Sequence, residues 1–282
     1  MGYKLALSDD ETVATVRMPG LSIEDFDRDG NPKITSLLHI VSSMNCFVQD
    51  KALDSSGRTF YGYEKLLRAA VIFMASTELE IHEAMYDGAV PKWPLDYKMK
   101  LNDVGNSSIG TTGELTVAST GQTLFRTGYR FVHVNPITRR SMPLPDWWRE
   151  KHCNDVIAKE PLIVQRTPRP GDTHVFKVRV MWTDTDNNNH ATWTSYVQFS
   201  INAMHDGIRK NFYKNVNEEV VRRGLRKIRM RFMRESLEGV ELIVHSWGSA
   251  EDDTTVCCEI ENADGKVVFH TTLGYPSCVA KM

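Results

Sequence analysis

The chain has 282 residues, 41% of them hydrophobic, which is enough for one large domain or two small ones around a buried core. Its formal net charge of −2 gives no global argument for nucleic acid as a partner. The longest apolar run, AAVIFMA at 69–75, is about a third of the length a bilayer-spanning helix needs, so no membrane span is expected.

The opening residues lack the charged, apolar and small-residue order of a secretory leader, and five cysteines without CxxC spacing form neither a disulfide nor a zinc framework. A reduced, cytoplasmic compartment is therefore expected. The final Ala280-Lys281-Met282 resembles the small-basic-aliphatic peroxisomal address, which keeps that organelle in view.

In chain order, a polar run, DRDGNPKIT, begins at Asp27 and leads into a stripe of helical spacing, Leu37, Val41, Met44 and Val48. STGQTLFRT, around Gly121, carries the turn signal of a hairpin. Residues 135–172, rich in proline and poor in periodicity, read as a linker. After it, Phe176, Val178, Val180 and Trp182 alternate with Lys177, Arg179 and Met181, the period of a strand with one buried face. The run DTDNNNH, Asp184 to His190, joins that strand to a second helical stripe, Trp193, Val197, Ile201, Met204 and Ile208. Ile228, Met230 and Phe232 against Arg229 and Arg231 predict a further strand, and NADGKVVFHT, around Gly265, repeats the hairpin signal.

The halves match each other. At an offset of 157, Asp27 falls on Asp184, Asp29 on Asp186, Asn31 on Asn188 and Lys33 on His190. The expected fold class is α+β, with residues 1–134 and 173–282 each a long helix closed over by antiparallel strands and 135–172 crossing between them.

Asp184, Asp186, Asn188 and His190 at a strand-to-helix join, followed by Tyr196, resemble the hotdog-fold thioesterases, and the doubled layout resembles the acyl-(acyl-carrier-protein) thioesterases. NPITRRSMPLP is similar to that family's Asn-x-x-Thr-Arg-Arg linker, and FMRES at 232–236 to its aromatic-x-Arg-Glu-Cys strand, with Ser236 in place of the cysteine. The resemblance implies a tandem hotdog whose first half holds the acyl chain and whose second half hydrolyses the thioester. Ser236 argues against a thiol nucleophile there. Without a plastid transit peptide in view, acyl-CoA stands beside acyl carrier protein as the carrier of the acyl group.

Thioester hydrolysis needs oxyanion donors, a base for water and a groove for the acyl chain. The leading N–H groups of the second helix, around Ala191, Thr192 and Trp193, are expected to serve as donors, with Ser236 also facing substrate. Asn188 would add an amide or orient water, His190 would exchange a proton with the thiolate, and Glu235 would activate water while Asp186 holds the loop. Alternation along the strand points Glu235 outward with Arg229 and Arg231, so a bulge or strand end is required to redirect it.

No cofactor or metal is called for: DTDNNNH opens like a calcium loop, but Asn189 and Ser195 stand where glycine and glutamate are needed. The alternatives are a polar capping turn, a non-catalytic acyl or acyl-CoA binding protein on the same scaffold, and a hotdog enoyl-thioester hydratase, whose Asp-to-His spacing is five residues rather than four. The basic run from Arg222 to Arg234 is either a solvated face or a landing patch for CoA phosphates or an acidic carrier. A monomer with an internal pseudo-dimer and a homodimer are both open.

Overall fold

The computed structural model describes residues 4–49, 57–68, 70–153 and 160–277; Ala280-Lys281-Met282 lies outside them. The chain divides into two compact units, one of Met1–Phe26 with Ser36–Ile163 and the other of Asp27–Thr35 with Val164–Met282.

In the first unit, strands β1 (Lys4–Leu7), β2 (Val13–Met18), β3 (Val71–Ile81), β4 (Leu95–Val104), β5 (Ser108–Val117) and β6 (Thr123–Val134) pair antiparallel in the order β1-β2-β4-β5-β6-β3. Period-two alternation forms them: in β4, Leu95, Tyr97, Met99 and Leu101 are buried while Lys98 and Lys100 are exposed. Helix α1 (Ile34–Gln49) buries Leu37, Leu38, Val41, Met44, Val48 and Gln49, the expected stripe widened by Leu38 and Gln49. A short helix α2 (Tyr63–Leu67) follows. The expected linker also contains structure. Its helix α3 (Asp146–His152) buries Trp148 completely, and the indole N–H donates to the Tyr61 carbonyl at 2.6 Å.

The second unit has strands β7 (His174–Arg179), β8 (Lys227–Phe232), β9 (Glu241–Gly248), β10 (Thr255–Asn262) and β11 (Val267–Gly274), antiparallel in the order β8-β11-β10-β9-β7. Helix α4 (Trp193–Arg209) packs against β7, β9, β10 and β11, and a short helix α5 (Glu218–Arg222) precedes β8. Registers across the sheet set Ile228, Met230 and Phe232 beside Leu273, Thr271 and Phe269, and these beside Val256, Cys258 and Ile260. This is the face toward α4, since the Cys258 thiol reaches the Ser200 carbonyl of that helix. Cys257, next along β10, points the other way. Each large aliphatic side chain fully buried here contributes about 1.5–3 kcal/mol.

Trp182 departs from the expected alternation. β7 ends at Arg179, and Trp182 begins one turn of 3₁₀ helix with its side chain 75% exposed. The two hairpin signals are turns of one kind, with Gly121 and Gly265 each at φ 71°, a conformation that a side chain would strain.

The opposite face of the second sheet carries a polar row across four strands, Arg231, His270, Glu259 and His245. Residues 164–169 lie over it as a strap. Arg166 pairs with buried Glu259, Arg169 reaches Glu261 at 2.9 Å, the Thr167 N–H donates to His270 Nε2 at 3.3 Å, and Arg231 donates to the Val164 carbonyl. Burial, with the charges of Arg166 and Arg231 adding to it, lowers the His270 pKa to about 4.

Candidate functional site

The loop before α4 is held by its aspartates. Asp184 accepts the Met181 N–H at 2.8 Å and closes the 3₁₀ turn. Asp186 Oδ1 accepts the Asn188 N–H at 2.8 Å and the His190 N–H at 3.1 Å, while the Asp186 N–H donates to the His190 carbonyl. A short carboxylate reaching its own backbone two and four residues on is what makes Asp a turn former. Asn189 takes φ 61°, a left-handed conformation that asparagine tolerates well.

The loop before α1 has the same construction in a different register from the one read in the sequence. Asp25 accepts the Ser22 N–H at 2.7 Å, Asp27 Oδ1 accepts the Asp29 and Asn31 N–H groups at 2.9 Å, and Gly30 has φ 81°. Asp27 is therefore the counterpart of Asp186, not of Asp184, and the true offset is 159. The counterpart of His190 is Asn31 rather than Lys33. The offset of 157 arises because Asp-x-Asp recurs every second residue in both runs, so a slip of two still aligns carboxylates.

Glu235 is brought to His190 by an interruption in the strand. β8 stops at Phe232, and the next two N–H groups, of Met233 and Arg234, both point to the Val268 carbonyl, at 2.9 and 3.2 Å. One carbonyl taking two successive amides is the signature of a bulge, which resets the alternation that would have turned Glu235 outward. The chain then runs beside the loop: His190 bridges to Leu237, and the Ala191 N–H donates to the Ser236 carbonyl at 2.8 Å. His190 Nε2 and Glu235 Oε2 stand 3.5 Å apart, with side chains 28% and 32% exposed.

Helix α4 starts at a capped N-terminus. Thr192 is the N-cap, its hydroxyl accepting the Ser195 N–H at 3.2 Å. Two amides expected to serve an oxyanion are committed elsewhere, Ala191 N–H to Ser236 and Thr192 N–H to the Asp184 carbonyl at 2.8 Å. Trp193, half-buried, is the first residue of the helix, and the Asn188 side chain is exposed.

Near Glu235 are two buried hydroxyls, Tyr196 one turn into α4 and Ser236 directly after Glu235, 3% and 4% exposed. They are neighbours, yet neither closes a well-formed hydrogen bond. A buried hydroxyl left so costs about 1–3 kcal/mol. The Tyr196 ring stacks on Phe269 with centroids 5.0 Å apart and planes at 14°, and Phe232 packs on Phe269 in turn. Burial raises the Tyr196 pKa above that of an ordinary phenol, with the Glu235 charge adding to the rise and contact with Ser236 opposing it.

The basic run from Arg222 to Arg234 is partly spent inside the second unit. Arg222 stands 3.6 Å from Asp29, Arg223 pairs with Glu219 at 2.6 Å, and Arg231 holds the strap. Among the described residues, no group of three or more His, Cys, Asp or Glu side chains is arranged to hold a metal ion.

No protein-family model and no curated protein sequence matches the chain. Solved structures do. A 12:0-ACP thioesterase from Umbellularia californica superposes with a TM-score of 0.69 at 15% identity, covering 96% of this chain and 99% of that one. An acyl-ACP thioesterase from Bacteroides thetaiotaomicron gives 0.68 at 14% identity, covering 96% and 100%. The chain shares the hotdog-type fold of these proteins.

Proposed function

We propose that the protein is an acyl thioesterase, a double hotdog that hydrolyses a fatty-acyl thioester of CoA or acyl carrier protein to free fatty acid and thiol. One observation carries this reading. His190 and Glu235, 45 residues apart in sequence, meet at the mouth of α4 with the buried Tyr196 and Ser236 hydroxyls behind them, on the fold that the 12:0-ACP thioesterase also has.

In this mechanism the Glu235 carboxylate takes a proton from water as the water oxygen bonds to the thioester carbon. The carbonyl π pair moves onto oxygen, and the tetrahedral oxyanion collapses by breaking the C–S bond. His190, 3.5 Å from Glu235, relays the proton to the departing thiolate. Asn188 orients the water or donates its amide to the oxyanion, and Asp186 keeps Asn188 and His190 in register through their N–H groups. Residues 1–134 form the half that holds the acyl chain, 173–282 the catalytic half, and 135–172 their connection. A reduced compartment, cytoplasm or peroxisome, suits the free thiols of Cys153, Cys257 and Cys258.

The test is release of free thiol from acyl-CoA and acyl carrier protein substrates across a panel of chain lengths. Purified protein should turn over at least one of them, and the double variant Asn188→Ala, His190→Ala should not, while its circular dichroism and melting curve stay those of the wild type. Saturable acyl binding with no thiol release on any substrate would replace the enzyme with a binding protein.

A further inference from the structure

An oxyanion requires hydrogen donors aimed where negative charge develops. At the start of α4 the obvious amides are committed, the Ala191 N–H to the Ser236 carbonyl and the Thr192 N–H to the Asp184 carbonyl. Side-chain donors can serve in their place. Two are present in the form expected of a preorganised pair, the hydroxyls of Tyr196 and Ser236, both more than nine-tenths buried and without a well-formed protein hydrogen bond. Buried polar atoms are almost always satisfied, so two adjacent buried hydroxyls with at most each other for a partner, close to Glu235, point to a ligand.

Both are also held still. The Tyr196 ring is stacked against Phe269, and Ser236 is tied through its own carbonyl to Ala191, in the loop that carries His190. A phenol raised above its usual pKa by burial keeps its proton at neutral pH, and so does a serine, so both act as donors throughout the working range.

We infer that the Tyr196 and Ser236 hydroxyls are the donor pair for the thioester carbonyl oxygen and for the oxyanion formed from it. This rests on the thioesterase reading of the same site. As the water oxygen bonds to the carbonyl carbon, the π pair goes to the oxygen that the two O–H groups hold. When that pair returns, the C–S bond breaks and the thiolate leaves with a proton from His190.

The experiment measures thiol release from an acyl-CoA by the wild type, Tyr196→Phe, Ser236→Ala, the double variant and Ser236→Thr, with His190→Asn as the reference for a dead site. Each single removal should lower kcat about 10²-fold and leave KM within about threefold, as for loss of one oxyanion donor. The double variant should lose less than the product of the two, because both act on one oxygen, and Ser236→Thr, which keeps a hydroxyl, should recover part of the rate. A merely structural role would lower the melting temperature without this split between kcat and KM. Tyr196→Phe keeps the ring stack, so it decides alone if Ser236→Ala does not fold. If the wild type is active and His190→Asn is not, while Tyr196→Phe and Ser236→Ala retain wild-type kcat, the donor assignment falls and the thioesterase reading stands. If the wild type releases no thiol from any acyl-CoA or acyl carrier protein substrate, both fall.

Discussion

The loops before α1 and α4 share a scaffold and differ in what it carries. In each, one aspartate accepts two backbone N–H groups, two and four residues on, and the residue between these two is left-handed, Gly30 or Asn189. At the last position the loops part. Asn31 donates its side-chain amide to the Arg222 carbonyl, a structural tie, whereas His190 faces Glu235. The comparison teaches that the aspartates of the motif build a turn, and that a single side chain at its end separates a structural tie from the His190–Glu235 pair to which the proposed function assigns proton transfer.

The largest effect should follow from erasing that difference. His190→Asn gives the second loop the residue of the first and should lower thiol release about 10³–10⁴-fold with folding unchanged, measured by steady-state kinetics and circular dichroism. Glu235→Gln keeps the shape of the partner but removes its basicity, and should lower kcat about 10²–10³-fold.

Any acid limb of the activity profile must be separated from unfolding. The unfolded His270 imidazole takes a proton near pH 6.5 and the folded one only near pH 4, so stability is intact above pH 6.5 and falls by about 3 kcal/mol as the pH drops to 4. Urea midpoints at pH 7 and pH 4.5 should show this loss, and His270→Gln should flatten it. The smallest effects test the shared scaffold. Asp27→Ala and Asp186→Ala should each cost about 1–2 kcal/mol in urea unfolding. Only the second should also slow thiol release, and equal effects of both on rate would break the distinction between the loops.

Much of this was legible in the sequence because it depends on local period. The helix stripes from Leu37 to Val48 and from Val197 to Ile208, the alternation of Ile228, Met230 and Phe232, and the paired turns at Gly121 and Gly265 all stand where spacing puts them. What failed depended on distant partners. Nothing near Ala191 announces that its N–H will be taken by Ser236, and no pattern in FMRES marks the bulge on Val268, although strand parity showed that some such break was needed. The register between the halves slipped by two because aspartates alternate in both runs, and only the hydrogen bonds of Asp27 and Asp186 distinguish 159 from 157. Tyr196 was legible in the sequence only through the family resemblance; that its hydroxyl is buried against Ser236 is a tertiary fact.

The strap over the second sheet decides where this polypeptide tolerates being reopened. With Arg166 and Arg169 clasped to Glu259 and Glu261 and Thr167 bonded to His270, residues 164–169 are cladding for the sheet rather than slack tether. New ends cut there would strip the counter-charge from a submerged carboxylate, whereas ends placed at the Gly265 turn, where an added Cβ meets nothing within 4 Å, would leave those ion pairs in place. A chain cleaved at an engineered site at Gly265 should stay folded in the second unit, and one cleaved at Thr167 should not.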